Sequence, residues 1–288
     1  MNPKILLPVD FSPLSSVSCD YAAGFAQLTG RDVILFHSFF DQIYFSDGGF
    51  STGFESGIML TDELILDLYK KKETRLAEMA AQCARKLAAS GKAGSSFETL
   101  IESGDPEVQI PNACRNLKPG LVIMGSAGLG LKGRFPGSVC EKIMKNCGLP
   151  VMAIPETAVF KGLEQVVYMT EFNPSDPEAI RLLSETLSLA SIRVDCLHLC
   201  PESDHQLALD KMDSLRTVVD AMNLPQSFQF VVKASYDLPR SLREFVDEKM
   251  VRLIAFIPHH RSFFKSLLHQ DLTKKDLFLT QTPILSLP

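Results

Sequence analysis

Two similar stretches of sequence decide the fold: Lys4-Ile5-Leu6-Leu7-Pro8-Val9-Asp10-Phe11-Ser12-Pro13 and Gln165-Val166-Val167-Tyr168-Met169-Thr170-Glu171-Phe172-Asn173-Pro174. Each is an apolar run that ends in an acidic residue, followed by Phe, a helix-capping residue and Pro, which together predict a strand leading into a helix. The acids, the phenylalanines and the final prolines of the two stretches are all 161 positions apart. The chain therefore contains an internal repeat.

The repeat continues along the chain. Val33-Ile34-Leu35-Phe36-His37 and Val194-Asp195-Cys196-Leu197-His198 keep the same spacing. Later counterparts, such as Leu121–Met124 and Leu253–Phe256, are only 132 positions apart in the sequence. The first half therefore contains an additional segment, which we assign to residues 39–61. This segment contains six aromatic residues and either packs on its own half, covers a ligand or contacts a partner.

The repeat predicts two domains in tandem, 1–157 and 158–288, each with five short apolar runs. Such runs are typical of strands buried on both faces, and their alternation with helical patterns predicts parallel sheets. The predicted strands are 4–9, 32–37, 96–100, 120–125, 150–154, 165–170, 192–199, 228–233, 251–257 and 283–287. The first-half helices are 13–28, 62–90, 106–117 and 138–147. The predicted fold class is therefore α/β, with two Rossmann-like domains, each a five-stranded parallel sheet flanked by helices.

Composition excludes several classes of protein. The formal net charge of −5 argues against broad binding to nucleic acid or to a membrane surface. No run approaches the roughly 18–20 apolar residues of a membrane span, and the N-terminus does not resemble a signal peptide. The seven cysteines include no Cys-x-x-Cys pair. We therefore expect free thiols and a cytoplasmic location.

The segment Met124–Lys142 is the part of the chain with the clearest chemistry. It follows a predicted buried strand and leads into a helix that opens at Gly137-Ser138. Gly125 and Gly128 allow close backbone approach, and the free N–H groups at the start of a helix favour an anion. This arrangement suits phosphate at the carboxyl edge of a parallel sheet. A long surface turn with a Gly-Ser helix start is the alternative interpretation.

Four features together resemble the universal stress protein (UspA) family: Val9-Asp10-Phe11-Ser12, Leu35-Phe36-His37, Gly104-Asp105-Pro106 and the glycine segment. The second half resembles the degenerate partner domain of tandem members. The resemblance implies an adenine-nucleotide-hydrolase-like fold whose two halves pack as an intramolecular pseudo-dimer through their final strands. A homodimer of two such chains is a further alternative. It also implies ATP or AMP, with or without Mg, as the ligand of the first half.

The resemblance assigns the candidate ligand residues individually. Those expected at the adenine are Pro8, Val9, Asp10 and Ser38; those at the ribose are Met124 and Gly125; those at the phosphates are Gly128, Gly137, Ser138 and Val139. The family's ATP-binding pattern is Gly-x2-Gly-x9-Gly-Ser/Thr, with nine residues between its last two glycines. In this chain only eight residues separate Gly128 from Gly137. A universal stress protein without a nucleotide, acting through protein contacts, is therefore an alternative.

The second half departs further from the family pattern. The counterparts of Gly125–Gly128 are Ile257-Pro258-His259-His260, and Glu171 replaces Asp10. Proline lacks an N–H donor, so we predict no ATP in this half. We also predict no metal site at His259-His260 with His269, because the side chains of adjacent histidines point apart on a regular backbone.

Three functions follow from these observations. The first is a stress-response regulatory protein that binds an adenine nucleotide in its first half only, and the second is the nucleotide-free protein described above. The third is an enzyme, such as a slow ATPase or a nucleotidyl transferase, although no base–nucleophile pair is evident. We predict no catalytic residues.

Overall fold

A computed structural model of the chain describes residues 3–39, 62–89, 94–126, 138–189, 191–258 and 282–288. The strands of this part are β1 (Ile5–Pro8), β2 (Val33–Phe39), β3 (Phe97–Ser103), β4 (Leu121–Gly125), β5 (Val151–Ile154), β6 (Gln165–Met169), β7 (Arg193–Cys200), β8 (Ser227–Ala234), β9 (Leu253–Phe256) and β10 (Ile284–Ser286). The helices are α1 (Pro13–Thr29), α2 (Asp62–Ala89), α3 (Pro106–Leu117), α4 (Ser138–Asn146), α5 (Asp176–Leu187), α6 (His205–Ala221) and α7 (Leu238–Glu248).

The described strands form one sheet in the order β3-β2-β1-β4-β5-β10-β9-β6-β7-β8. Within each half the neighbouring strands are parallel, and the two halves have the same internal order. The halves join where β10 pairs antiparallel with β5, for example Leu285 opposite Met152. The predicted fold class is thus confirmed, including the pairing of the final strands. The domain boundary between residues 157 and 158 stays a prediction.

Side-chain caps fix where the first helices begin. Ser12 precedes α1 and its Oγ accepts a hydrogen bond from the Ser15 amide at 3.3 Å. Asp105 precedes α3 and accepts from the Glu107 amide at 2.7 Å. Because Pro follows each cap, its fixed φ suits the first helical position, where no N–H is needed. The capping function expected for Ser12 is confirmed.

Apolar residues cover both faces of the sheet. One cluster runs through both halves beneath α1, α2, α5 and α6, with Phe25 and Tyr168 among its fully buried members. On the opposite face, separate clusters lie beneath α3 and α4 in the first half and beneath α7 in the second. This arrangement explains why the strand sequences read as continuous apolar runs.

The segment that follows β5 packs closely on α1. A Cβ added to Gly24 of α1 would lie 2.3 Å from Cδ1 of Phe160, whose ring packs edge-on against Tyr21. We expect Gly24→Ala to lower the free energy of unfolding by about 1–3 kcal/mol through overpacking, measured by urea denaturation. Gly94→Ala is the control, because nothing lies within 4 Å of its added Cβ. An unchanged Gly24→Ala variant would contradict this packing.

Candidate nucleotide site

The order of the strands creates a crevice in the first half. From β1 the chain moves outward to β2 and β3, whereas β4 and β5 lie on the other side of β1. In open α/β sheets, ligands bind outside the carboxyl ends of the strands at such a reversal of order. Here the ends that flank the reversal are Pro8 of β1 and Gly125 of β4.

The predicted site residues that the structure describes meet at this edge. Met124 is 6% exposed and packs in the cluster beneath α3 and α4. Because strand side chains alternate, Pro8 and Ser38 lie on that same face, two residues beyond Leu6 and Phe36 of the cluster. Pro8, Ser38 and Met124 thus share one face of the sheet, whereas Val9, also assigned to the adenine, packs in the apolar cluster on the opposite face.

The phosphate end of the predicted site is described in part. Helix α4 begins at Ser138, as predicted, and partly buried Val139 packs against the cluster beneath α3 and α4. A helix start offers backbone N–H donors and the positive end of the helix dipole. Gly128 and Gly137 lie outside the described residues.

Asp10 is held in place by the start of α1. Its Oδ1 accepts hydrogen bonds from the Ser12 amide at 3.0 Å and from the Ser15 hydroxyl at 2.7 Å. The Asp10 amide in turn donates to Ser15 Oγ at 3.0 Å. The preceding carbonyl, that of Val9, accepts from the ring of His37 at 2.8 Å. These contacts fix the backbone turn that carries the predicted adenine-binding acid.

His37 belongs to a packed cluster on the α1 and α2 face. Its ring centroid lies 4.3 Å from that of Phe11, over which the Arg75 guanidinium lies at 4.6 Å. Lys72 Nζ lies 3.5 Å from His37 Nε2 and 4.6 Å from the Phe39 ring centroid. The face opposite Met124 is therefore filled by side chains, and His37 packs among them at the end of β2. Beyond Phe39, the aromatic segment 40–61 lies outside the described residues.

The second half reproduces this turn with different chemistry. His198 donates to the Thr170 carbonyl at 2.8 Å, and its ring lies 4.3 Å from that of Phe172. The φ angles of Phe11 and Phe172 are 61° and 59°. The 161-residue spacing thus corresponds to matching contacts in three dimensions.

The turn after β6 contains a buried polar network, in which Tyr168 and Thr170 replace the apolar Leu7 and Val9 of the first half. Asp176 stands where the repeat has Ser15, and it is 2% exposed. It accepts hydrogen bonds from the Tyr168 hydroxyl at 2.7 Å, from the Thr170 hydroxyl and from the Asn173 amide at 2.8 Å. Burial and the nearby Asp176 carboxylate raise the pKa of Tyr168, which keeps its hydroxyl as a donor. This network is not predicted from the sequence, although the repeat aligns its members with Leu7, Val9, Ser12 and Ser15.

A cavity of about 390 Å³ lies at the carboxyl ends of β6 and β7. Among the described residues, its charged lining consists of Glu171, Asp204 and Lys211, beside His198 and Phe172. Two carboxylates against one ammonium group disfavour a polyphosphate. The strand β9 beside this edge ends at Phe256 and is followed by Ile257 and Pro258, where the first half has Gly125 and Ser126.

Comparison with known protein families matches residues 1–155 to the universal stress protein family. The chain belongs to this family. Two curated universal stress proteins are similar over the same half. YxiE of Bacillus subtilis is 24% identical over 155 residues, which are 54% of this chain and 99% of YxiE. MJ0577 of Methanocaldococcus jannaschii is 25% identical over 156 residues, 54% of this chain and 95% of that protein.

One solved universal stress protein, from Archaeoglobus fulgidus, resembles both halves. It is 17% identical to this chain with a TM-score of 0.67, over 99% of this chain and 97% of the other. At that identity the similarity shows the fold alone. Sequence evidence for the family therefore concerns the first half, and the fold extends through the second.

Two further findings concern the described residues of this universal stress protein, whereas the histidines at which no metal site is predicted, His259, His260 and His269, lie outside them. None of their helices is both long and apolar enough to cross a membrane. In the same part of the chain, no group of three or more His, Cys, Asp and Glu side chains is arranged to hold a metal ion.

The two histidines at equivalent positions of the repeat, His37 and His198, make the stability of this universal stress protein depend on pH. Burial lowers the pKa of both His37 and His198, against the opposing effect of their carbonyl partners. Below about pH 6.5, the ordinary pKa of histidine, the unfolded state therefore binds more protons than the folded state. We expect the free energy of unfolding to decrease from pH 7 to pH 5, measured by urea denaturation. The double variant His37→Asn, His198→Asn should lose less over that range; an equal loss would contradict this account.

Proposed function

We propose that this universal stress protein binds one adenine nucleotide, ATP or AMP, in the crevice between the carboxyl ends of β1 and β4. The observation that carries the proposal is the position of the strand-order reversal beside Pro8 and Gly125. Ligands of open α/β sheets bind at this point. The choice of an adenine nucleotide follows the family resemblance of the residues around it.

Each candidate residue has a role that fits its position. Asp10, fixed through Ser12 and Ser15, accepts from the adenine amino group, and the backbone beside Ser38 meets the adenine edge. Met124 and Gly125 lie beneath the ribose. The proposed phosphate donors are the N–H groups of Ser138 and Val139 that open α4, together with Gly128 and Gly137, which the family resemblance assigns to the phosphates. A Mg ion, when present, would neutralise phosphate charge, and no described cluster of side chains is arranged to hold one by itself.

The second half is proposed to bind no nucleotide. Its equivalent edge has Glu171, with Asp204 in the neighbouring cavity, and Pro258 follows the end of β9. A proline provides no N–H donor, and the carboxylates repel phosphate. The function is thus that of a regulatory protein in which nucleotide occupancy of one half is the signal. Domains 1–157 and 158–288 would then have unequal roles.

A matched pair of substitutions tests the site. We expect Asp10→Asn to weaken ATP and AMP binding about 10- to 100-fold. The substitution replaces a charged acceptor by a neutral amide, and a hydrogen bond to a charged group contributes about 1.5–3 kcal/mol. Glu171→Gln makes the same chemical change at the symmetric position and should leave the affinity unchanged. Isothermal titration calorimetry measures both. Equal effects of the two variants would overturn the assignment to the first half.

A hydrolysis assay separates binding from catalysis. We expect wild-type protein that is saturated with ATP to release phosphate no faster than the Gly137→Asp variant. Turnover that depends on Gly137 would support the slow-ATPase alternative instead. Absence of binding to wild-type protein would support the nucleotide-free alternative, in which the protein acts through protein contacts.

A further inference from the structure

Two cysteines far apart in the sequence meet at the ends of neighbouring helices. Cys114 lies in the last turn of α3 and Cys147 directly follows α4. Their sulfur atoms are 3.2 Å apart. Nearer the start of the helices, Lys142 of α4 and Glu107 of α3 form an ion pair at 2.6 Å. The two helices are therefore held side by side with both thiols at the same end.

The sulfur distance is short enough for a disulfide to form with little movement. A disulfide has an S–S bond of about 2.05 Å, so the two atoms need to approach by only about 1.1 Å. Cys147 is the last residue before Gly148, whose φ is 67°, so it lies at the boundary between α4 and a turn. The end of a helix can adjust by this amount more easily than its middle.

The two thiols differ in accessibility and in acidity. Cys147 is partly exposed, whereas Cys114 is 4% exposed. The hydrogen bond between the two sulfur atoms lowers the pKa of Cys147, and the amide of Leu149 acts in the same direction. The same pairing raises the pKa of Cys114, as does its burial. Cys147 is thus the sulfur that is both easier to reach and more readily present as a thiolate, which is the nucleophilic form.

We propose that Cys114 and Cys147 form a reversible redox-sensitive pair that a hydroperoxide converts to a disulfide. The Cys147 thiolate attacks the peroxide, takes one oxygen as a sulfenic acid and releases hydroxide or an alkoxide. The Cys114 sulfur then attacks the sulfenic sulfur, the S–S bond forms, and the sulfenic oxygen leaves as water after taking up the Cys114 proton. The two thiols are oxidised and the peroxide is reduced; an added thiol reverses the change. The pair does not depend on nucleotide binding in the first half.

A second cysteine pair provides an internal comparison. Cys19 of α1 and Cys83 of α2 also interact through a hydrogen bond. They are only 2% and 3% exposed, within the apolar cluster on the opposite face. These two thiols also contact each other, but both are buried from solvent and therefore from a peroxide. We expect this pair to stay reduced under conditions that oxidise Cys147.

Peptide mapping of the full-length protein tests the proposal. Reduced protein is treated with hydrogen peroxide, blocked with iodoacetamide, digested with trypsin and analysed by mass spectrometry. Trypsin places Cys114 in peptide 93–115, Cys147 in 146–161 and Cys140 in 135–142. We expect a cross-link between the first two peptides, with loss of two of the seven thiols. Dithiothreitol should restore both thiols.

Two variants and one condition distinguish this pairing from nonspecific oxidation. Cys147→Ser should abolish the cross-link, while Cys140→Ala, within α4, should retain it; circular dichroism verifies that each variant is folded. Denaturation in urea should slow formation of the cross-link at least 10-fold. Oxidation of Cys147 to sulfinic acid without a cross-link, faster loss of Cys19 and Cys83, or equal rates in urea would overturn the proposal.

Discussion

Asp176→Ala is expected to lower the free energy of unfolding by about 3–5 kcal/mol, because it removes one partner from a buried network of hydrogen bonds. The substitution leaves three donors without their acceptor: the Tyr168 hydroxyl, the Thr170 hydroxyl and the Asn173 amide. Tyr168 is fully buried and Thr170 is 2% exposed, so water cannot easily replace the carboxylate. Urea denaturation followed by circular dichroism measures the change.

The matched control is Ser15→Ala, at the position that the repeat aligns with Asp176. The Ser15 hydroxyl contacts only Asp10 among the hydrogen bonds described for its side chain, at 2.7 Å and 3.0 Å, and Asp10 is partly exposed. Its loss should therefore cost only about 1–2 kcal/mol. Equal destabilisation of the two variants would mean that the Asp176 network contributes no more to stability than the Ser15 hydrogen bonds, which would contradict the prediction.

Gly137→Asp is expected to weaken ATP binding at least 100-fold, or roughly 2.8 kcal/mol. Gly137 immediately precedes Ser138, the first residue of α4. Phosphate at a helix start depends on free N–H groups and a positive local potential, and a carboxylate there opposes both. Isothermal titration calorimetry of the folded variant with ATP gives the affinity. AMP has fewer phosphate charges, so its binding should decrease less.

The control places the same charge in the other half. His269 is the approximate counterpart of Gly137 in the repeat, and His269→Asp should leave ATP binding unchanged. If His269→Asp weakened binding as much as Gly137→Asp, the phosphates could not be assigned to the first half. If neither variant changed the affinity, the glycine segment would not be the phosphate site.

The strands and helices of the fold could be predicted because each is marked locally. Apolar runs such as Leu121–Met124 identify strands buried on both faces, and Ser12-Pro13 and Asp105-Pro106 mark helix starts. The pairing of β5 with β10 came from the family resemblance rather than from local patterns. It is borne out by the antiparallel register of Ile284 and Ala153.

Contacts between distant residues could not be predicted in the same way. Asp176 reads as an ordinary residue of a first helical turn, and only its alignment with Ser15 signals that it replaces a side chain at a buried turn. Cys114 and Cys147 are separated by a whole strand and a helix, so nothing in their spacing predicts contact between them. Such contacts depend on how neighbouring helices are placed on the sheet, which is a property of the whole half.

The number of nucleotides bound by each chain tests the central claim most directly. Isothermal titration calorimetry of the wild-type protein with ATP, and then with AMP, gives this stoichiometry. One site per chain, abolished by Gly137→Asp and retained in His269→Asp, is the predicted result. Two sites, no binding, or one site that survives Gly137→Asp would contradict the assignment of the nucleotide to the crevice between β1 and β4.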